Sequence, residues 1–413
     1  MDVSGSQCRI CGSALRHPFA DLGASPLCES FLAASECNRM EPFYPLCVYV
    51  CEQCFLVQLE EYVAPEQIFS QYAYFSSYSD SWLRHAKEYV EMAVERFALG
   101  PESHVVELAS NDGYLLQYFL EKGVPVLGIE PAANVAEAAR EKGVSTEVRF
   151  FGVDCAREVA RSGKPSDLLI GNNVLAQVPD LRNFVQRMKI ALKPNGVITL
   201  EFPHLLCLMR ENLIDTFFHE HFCYFSLVAI GPFLSSEGLT IFDVEELSTH
   251  GGSLRVFVRH SEDDSRPVSE TVERLLGVER EAGLDRLETY FAFSEQVKET
   301  KRRLLDFLIG AKRNGDRIAG YGAPGKGNTL LNYCGIRTDF LDFTVDRNPY
   351  KHGKFTPGTR IPIFPPEKLR EAKPDYVLIL PWNLKDEIME QESHIRDWGG
   401  RFVVPIPDVA IYP

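Results

Sequence analysis

Three groups of residues in this 413-residue chain have the types and spacing to do chemistry. Cys8 and Cys11 (CRIC) and Cys51 and Cys54 (CEQC) are two CxxC pairs. Each pair sets two thiolates on one tight turn, and four such sulfurs make a closed tetrahedral Zn²⁺ site of the structural kind. His219-Glu220-His221, within FFHEHFCYFS, puts two imidazoles around a carboxylate. An imidazole titrates near neutrality and suits proton abstraction, and a carboxylate beside it can fix its tautomer. The third group is GYGAPGKGN, where Gly320, Gly325 and Lys326 fit G-x-x-x-x-G-K but Gly327 replaces the Ser or Thr that would hold Mg²⁺. ATP hydrolysis is therefore not expected. The turn still offers amides, a helix N-terminus and a lysine to a diphosphate.

These groups sit on elements readable from periodicity. SHVVELASNDGYLLQYFLEKG reads as strand, tight turn and helix, the helix over 114–122. VPVLGIEPAANVAEAAREKG repeats the unit, with strand 126–129, Glu130 at its tip and a helix from about Asn134. DLLIGNNVLAQVPD adds a strand and loop, LRNFVQRMKIALKPNG a helix and GVITLEFP a strand. Such alternation predicts an open, mostly parallel α/β sheet. Its first turn lacks the G-x-G-x-x-G of a dinucleotide site and instead carries Glu107, Ala109, Asn111 and Gly113. An acid there suits an amine-bearing ligand, and Glu130 at the second strand tip suits a ribose diol. With Pro131 and Asn173, this is the S-adenosylmethionine pattern of a class I methyltransferase.

RIAGYGA, FLDFTVD, DYVLILPW and RFVVPIP predict four strands of a second, smaller α/β unit. Gly322, Ala323, Lys326 and Gly327 on its glycine-rich turn, Asp346 at the next strand tip and Asn383 at another are candidates to hold a nucleotide. In the N-terminal segment LGASPL reads as a loop and EPFYPLCVYV as a strand, with Cys28, Cys37 and Cys47 as small buried hydrophobes.

The bulk composition agrees. The apolar fraction is 45% and the charged fraction 24%, as in soluble globular proteins. A formal charge of −15 argues against nucleic acid as a partner. No apolar run reaches the roughly 18 residues of a membrane span, and no signal peptide is evident. Seven of the eleven cysteines fall between Cys8 and Cys54, which in a chain with no export signal reads as metal binding rather than disulfides. A cytoplasmic enzyme is the expectation, as a monomer or weak homodimer.

CRIC…CEQC, YAYFSSYSDSW, VVELASNDGYLLQYF, GIEPAANVA, GNNVLAQVPD, FHEHFCYFS, HGGSLRVF, GYGAPGKGNTLLNYCGI and VLILPWN run nearly end to end. On these strings the chain resembles the sugar C-methyltransferases, which methylate a ring carbon of a nucleotide-linked keto-deoxysugar. The resemblance implies His221 as base with Glu220 beside it, and Glu130 on the cofactor's ribose. It implies that the segment with Tyr72, Tyr74 and Ser77 contributes to the cofactor and sugar pocket. His219, Tyr224 and His250 are expected near the sugar. Two positions depart from the family: Phe218 stands where a tyrosine is common, and Gln177 where a histidine is common. Gln177 can still donate a hydrogen bond to an oxyanion; Phe218 cannot. Tyr72, Tyr74 and Tyr224 are the phenols available to stand in, and Tyr72 joins His221, Glu220 and Gln177 as a candidate catalytic residue.

The expected architecture is a zinc-binding module (1–65), a Rossmann-like methyltransferase domain (66–265), a helical linker (266–312) and a C-terminal α/β domain gripping a dTDP- or GDP-linked sugar (313–413). The expected reaction is base-assisted methylation, at C3, of a 4-keto-6-deoxysugar. Two other readings stay open: an epimerase or isomerase using the same enolisation, and a non-catalytic nucleotide-sugar-binding subunit. For the H-E-H segment, a metal site and a polar core network also stay open, although no H-E-x-x-H accompanies it.

Overall fold

A computed structural model describes residues 6–69, 75–161 and 165–413. It contains three sheets. The first is antiparallel, with β1 (His17–Ser25), β2 (Tyr44–Val50) and β3 (Val57–Leu59) joined by a strand from far along the chain, β9 (Cys223–Tyr224). Val57 pairs with Tyr224 and Gln58 with Cys223. The LGAS residues that read as loop belong to β1, because Ala24 and Ser25 pair with Pro45 and Tyr44 beyond two irregularities in the register. A shifted register hides the alternation that marks a strand in sequence.

The second sheet has seven strands: β4 (Val105–Leu108), β5 (Val126–Glu130), β6 (Thr146–Val148), β7 (Ser166–Asn172), β8 (Leu192–Pro203), β10 (Leu239–Leu247) and β11 (Ser253–His260). Their order is β10-β11-β8-β7-β4-β5-β6. The strands β4 to β8 run parallel, and β11 is antiparallel to both its neighbours. VVEL of β4 is buried throughout, as a strand covered on both faces must be. Ser79 caps the helix Asp80–Arg96 by accepting from the Trp82 amide at 3.3 Å, and Asp180 caps Leu181–Ala191. The helix expected over 114–122 occupies Leu116–Glu121.

The third sheet comprises β12 (Ile318–Tyr321), β13 (Thr344–Val345), β14 (Ile363–Phe364), β15 (Tyr376–Ile379), β16 (Arg401–Val404) and β17 (Ala410–Tyr412). Its order is β14-β13-β12-β15-β16-β17, parallel except for β17. The charged stretch before it forms two helices, Glu270–Glu281 and Leu287–Arg313. They separate at Gly283, whose φ of 84° is a left-handed stop that costs glycine little.

One apolar core runs through all three units. Phe19 and Val57 of the first sheet, Leu208 and Phe217 ahead of β9, Phe293 of the long helix, and Leu330 and Leu378 of the third unit belong to it. Phe19 stacks on Phe293 at 4.8 Å between ring centres. Each fully buried large apolar side chain of this kind contributes about 1.5–3 kcal/mol. The units therefore hold one another in register, and the cleft among them has fixed walls. No helix among the described residues is long and apolar enough to cross a membrane.

Candidate active site

The parallel strand order reverses between β4 and β7, and the chain segments leaving those strand ends form one wall of a cavity of about 740 Å³. Three non-glycine residues there hold left-handed backbone: Ala109 (φ 53°), Asn111 (φ 50°) and Asn173 (φ 55°). Such strain persists only where neighbours enforce it, and it clusters at ligand sites. The Asn111 amide donates to Glu130 Oε2 at 2.9 Å, its side-chain oxygen accepts from the Ser76 amide at 3.0 Å, and the Asn173 amide donates to the Glu201 carbonyl at 2.7 Å.

Glu130 Oε1 accepts from the Ala132 amide at 2.8 Å, and burial pushes this carboxyl above its usual range. Each of its oxygens keeps a lone pair for a ligand hydroxyl. Ala109, Asn111, Glu130, Pro131 and Asn173 all line the cavity, and so does Asn172, whose Oδ1 is buried without a partner among the described residues. This set suits a nucleoside with a diol and an amine. Glu107 lies beneath the wall, its carboxyl pushed well up by burial. Gly113 serves packing: a Cβ there would meet Val144 Cγ2 at 2.9 Å. Ser77 binds Lys142 through its hydroxyl, while its neighbour Ser76 reaches the cavity. Tyr72 and Tyr74 fall outside the described residues.

The H-E-H segment is a turn, closed by the His221 amide donating to the Phe218 carbonyl at 3.0 Å. On a strand, Glu220 and His221 would face opposite ways; on this turn both reach the cavity. His219 faces away, with Nε2 3.1 Å from the Pro45 carbonyl and its ring between Tyr44 and Tyr62. The Phe218 ring lies 4.2 Å from the His221 ring, centre to centre. Burial holds the His221 imidazole down to about 3, and the charges of His250 and Lys326 act the same way. The nearby Thr216 backbone opposes this shift. Cys28, from the first unit, donates to Glu220 Oε1 at 3.6 Å and is buried; Cys37 and Cys47 are half-buried.

Gln177 and His250 line the same cavity. His250 sits at φ 54° and is held to about 4 by burial and then by Lys326. Tyr224 is buried behind the turn, its hydroxyl donating to the Thr216 carbonyl at 3.3 Å.

From the third unit Gly325, Lys326 and Asn383 line the cavity. Gly322, Ala323, Gly327 and Asp346 shape the turn instead. A Cβ on Gly322 would meet Pro381 at 2.5 Å and one on Gly327 would meet Leu380 at 2.8 Å. Asp346 accepts from the Ala323 and Asn348 amides, both at 2.8 Å. The sequence reading passed over Asn348, Tyr350, Lys351 and Lys354, which line the cavity just past β13. Their position after a parallel strand's C-terminal end was the available signal.

The four paired cysteines of the first unit bring their sulfurs within 4.8 Å of one another, with Cys8–Cys54 and Cys11–Cys51 at 3.4 Å. Zinc–thiolate bonds of about 2.3 Å put tetrahedral sulfurs about 3.8 Å apart, so the cluster fits the ion. Gln58 Nε2 donates to Cys8 Sγ at 3.2 Å and the Gln53 amide to Cys51 Sγ at 3.4 Å, as suits thiolate acceptors.

The seven-stranded order with one antiparallel strand and a ligand wall at the β4 and β7 ends defines a class I methyltransferase, with S-adenosylmethionine as its cofactor and zinc as the structural metal of the first unit. Three family models match in succession: "Putative zinc binding domain" over residues 8–69, "Methyltransferase domain" over 82–244, and "C-methyltransferase C-terminal domain" over 248–407. The chain is 35% identical over 402 residues to the C-methyltransferase NovU of Streptomyces niveus, covering 97% of this chain and 96% of that one. It therefore belongs to the C-methyltransferase family. Trans-aconitate 2-methyltransferase of Paracidovorax citrulli is 29% identical over 133 residues, 32% of this chain and 49% of that protein. A solved S-adenosylmethionine-dependent methyltransferase from Clostridium acetobutylicum aligns at 12% identity with TM-score 0.35, covering 43% of this chain and 92% of its own.

Proposed function

We propose that this enzyme methylates C3 of a nucleotide-diphosphate-linked 4-keto-6-deoxysugar, with His221 as the base that generates the enolate. The observation that carries the reading is the H-E-H turn, which turns Glu220 and His221 together into the cavity also lined by Asn111 and Glu130 on one side and by Gly325 and Lys326 on the other. When bound, S-adenosylmethionine supplies an electrophilic methyl group, and Glu130, Asn111 and Asn172 are the residues to hold it. A ketone acidifies the neighbouring C–H enough for a positioned neutral imidazole to remove the proton. Glu220 completes the base's surroundings, and Phe218 packs on the ring and limits its rotation. The cations past β13 suit the diphosphate, and a nucleotide sugar in the cytoplasm is the matching substrate class.

The test is incubation of the purified protein and of His221→Asn with S-adenosylmethionine and a panel of dTDP- and GDP-linked 4-keto-6-deoxysugars in D2O. Mass spectrometry follows methyl gain and deuterium uptake. Methyl gain that disappears in H221N supports the reading. Deuterium uptake without methyl gain supports an epimerase or isomerase. Binding with neither supports a non-catalytic subunit.

A further inference from the structure

Lys326 is the second residue of the helix Gly325–Cys334 and lines the cavity, yet its Nζ is buried with no hydrogen-bond partner among the described residues. An ammonium stripped of water and given no acceptor is costly to keep, and the cost falls when an anion arrives. Its surroundings indicate where that anion forms. The helix packs on the 3-10 turn Ile214–Thr216, immediately ahead of the H-E-H turn. Nζ lies 5.8 Å from the centre of the Trp382 ring, and Trp382 in turn donates to Asp215 of that 3-10 turn. The ammonium's charge bears on Asp215, His221 and His250. The two other third-unit cations that line the cavity differ. Lys351 donates to the Ala323 carbonyl at 2.8 Å and lies 3.7 Å from Asp346, and Lys354 is exposed.

Enolate formation at His221 needs a donor for the new oxyanion. Several groups near the ring are already committed. The Thr216 hydroxyl donates to the Leu213 carbonyl at 2.6 Å, and the Tyr224 hydroxyl to Thr216. Phe218 has no donor, and an ionised Glu220 only accepts.

We propose that Lys326 is a catalytic residue that donates to the C4 carbonyl oxygen of the sugar and holds the enolate oxygen while His221 takes the C3 proton. The proposal rests on the keto-sugar reading above. In this step the C3–H bond breaks, its electron pair becomes the C3–C4 π bond, and the carbonyl π pair moves onto oxygen. The proton resides on His221, so the imidazolium and the enolate arise together beside the ammonium. This turns the glycine-rich turn from a phosphate clamp into part of the reacting centre.

The test compares wild type, Lys326→Met and Lys326→Arg, using whichever of dTDP or GDP binds the wild type and the corresponding 4-keto-6-deoxysugar. The readouts are calorimetric affinity for the free nucleoside diphosphate and the C3 deuterium-exchange rate at saturating sugar with S-adenosylhomocysteine present. The expected result is an exchange rate about 100-fold lower in K326M, with nucleotide affinity changed less than about threefold and partial recovery in K326R. Lys326→Gln replaces K326M if the latter does not bind S-adenosylhomocysteine. Nucleotide affinity lowered about tenfold or more with saturated exchange intact overturns the proposal in favour of a phosphate contact. Unchanged exchange and unchanged affinity also overturn it. A wild-type protein that binds nucleotide but exchanges no C3 proton overturns the keto-sugar reading itself.

Discussion

Trp382 Nε1 donates to Asp215 Oδ2 at 2.7 Å, a bond between the strand-end segment after β15 and the 3-10 turn that leads into the H-E-H turn. Asp215 is fully buried, and burial raises its carboxyl while Lys326 works against the rise. Its other oxygen has no hydrogen-bond partner among the described residues, so the indole carries most of its satisfaction.

Trp382→Phe removes that donor and leaves the buried carboxyl unsatisfied. Such a loss costs about 1–3 kcal/mol. Urea denaturation of W382F against wild type measures it. Equal midpoints at equal slopes would mean that the bond does not hold the units together.

On the proposed reading the neutral His221 is the base, and its imidazole is held down to about 3. Protonation therefore begins well below the ordinary imidazole range near 6.5. Sugar C–H exchange is expected to stay flat from pH about 8 to about 5 and to fall only in more acid solution. An acid limb near pH about 6.5 would show that substrate-bound His221 regains ordinary basicity.

Glu130→Ala removes the acceptor at the tip of β5 and also frees the Asn111 and Ala132 amides. S-adenosylmethionine affinity is expected to fall about 10- to 100-fold, the loss of one or two charge-assisted hydrogen bonds. Titration calorimetry with the cofactor alone reads this directly, and nucleotide affinity should not change. A parallel loss of both affinities would point to general unfolding.

Zinc removal is expected to abolish methyl transfer. Gln58 donates to Cys8 and pairs with Cys223, two residues beyond His221. Cys51→Ser should lower bound zinc, measured by elemental analysis, and exchange activity together. Full activity at zero zinc would separate the metal from the active site.

Much of this was legible in sequence because the signals are local. Paired cysteines, parallel-strand alternation and the Glu130 tip each depend on neighbours a few residues away. Which way His219, Glu220 and His221 face was not, because the direction of each side chain depends on the bond between His221 N and Phe218 O. Glu107 and Gly113 fit a ligand turn by type, yet one is beneath the wall and the other is fixed by Val144, a contact made 31 residues along the chain. Asp215 and Trp382 carried no motif, since their meaning arises only when units 167 residues apart meet.

The first sheet is completed by β9, so the chain crosses from the H-E-H turn straight into the metal-bearing unit. Recombination between relatives cannot cut cleanly at the end of that unit. A hybrid carrying residues up to Leu59 from one parent and Cys223–Tyr224 from another pairs edges that never matched. Swaps that carry both segments together should yield working hybrids, and the boundary of inheritance here is a strand pairing rather than a point along the chain.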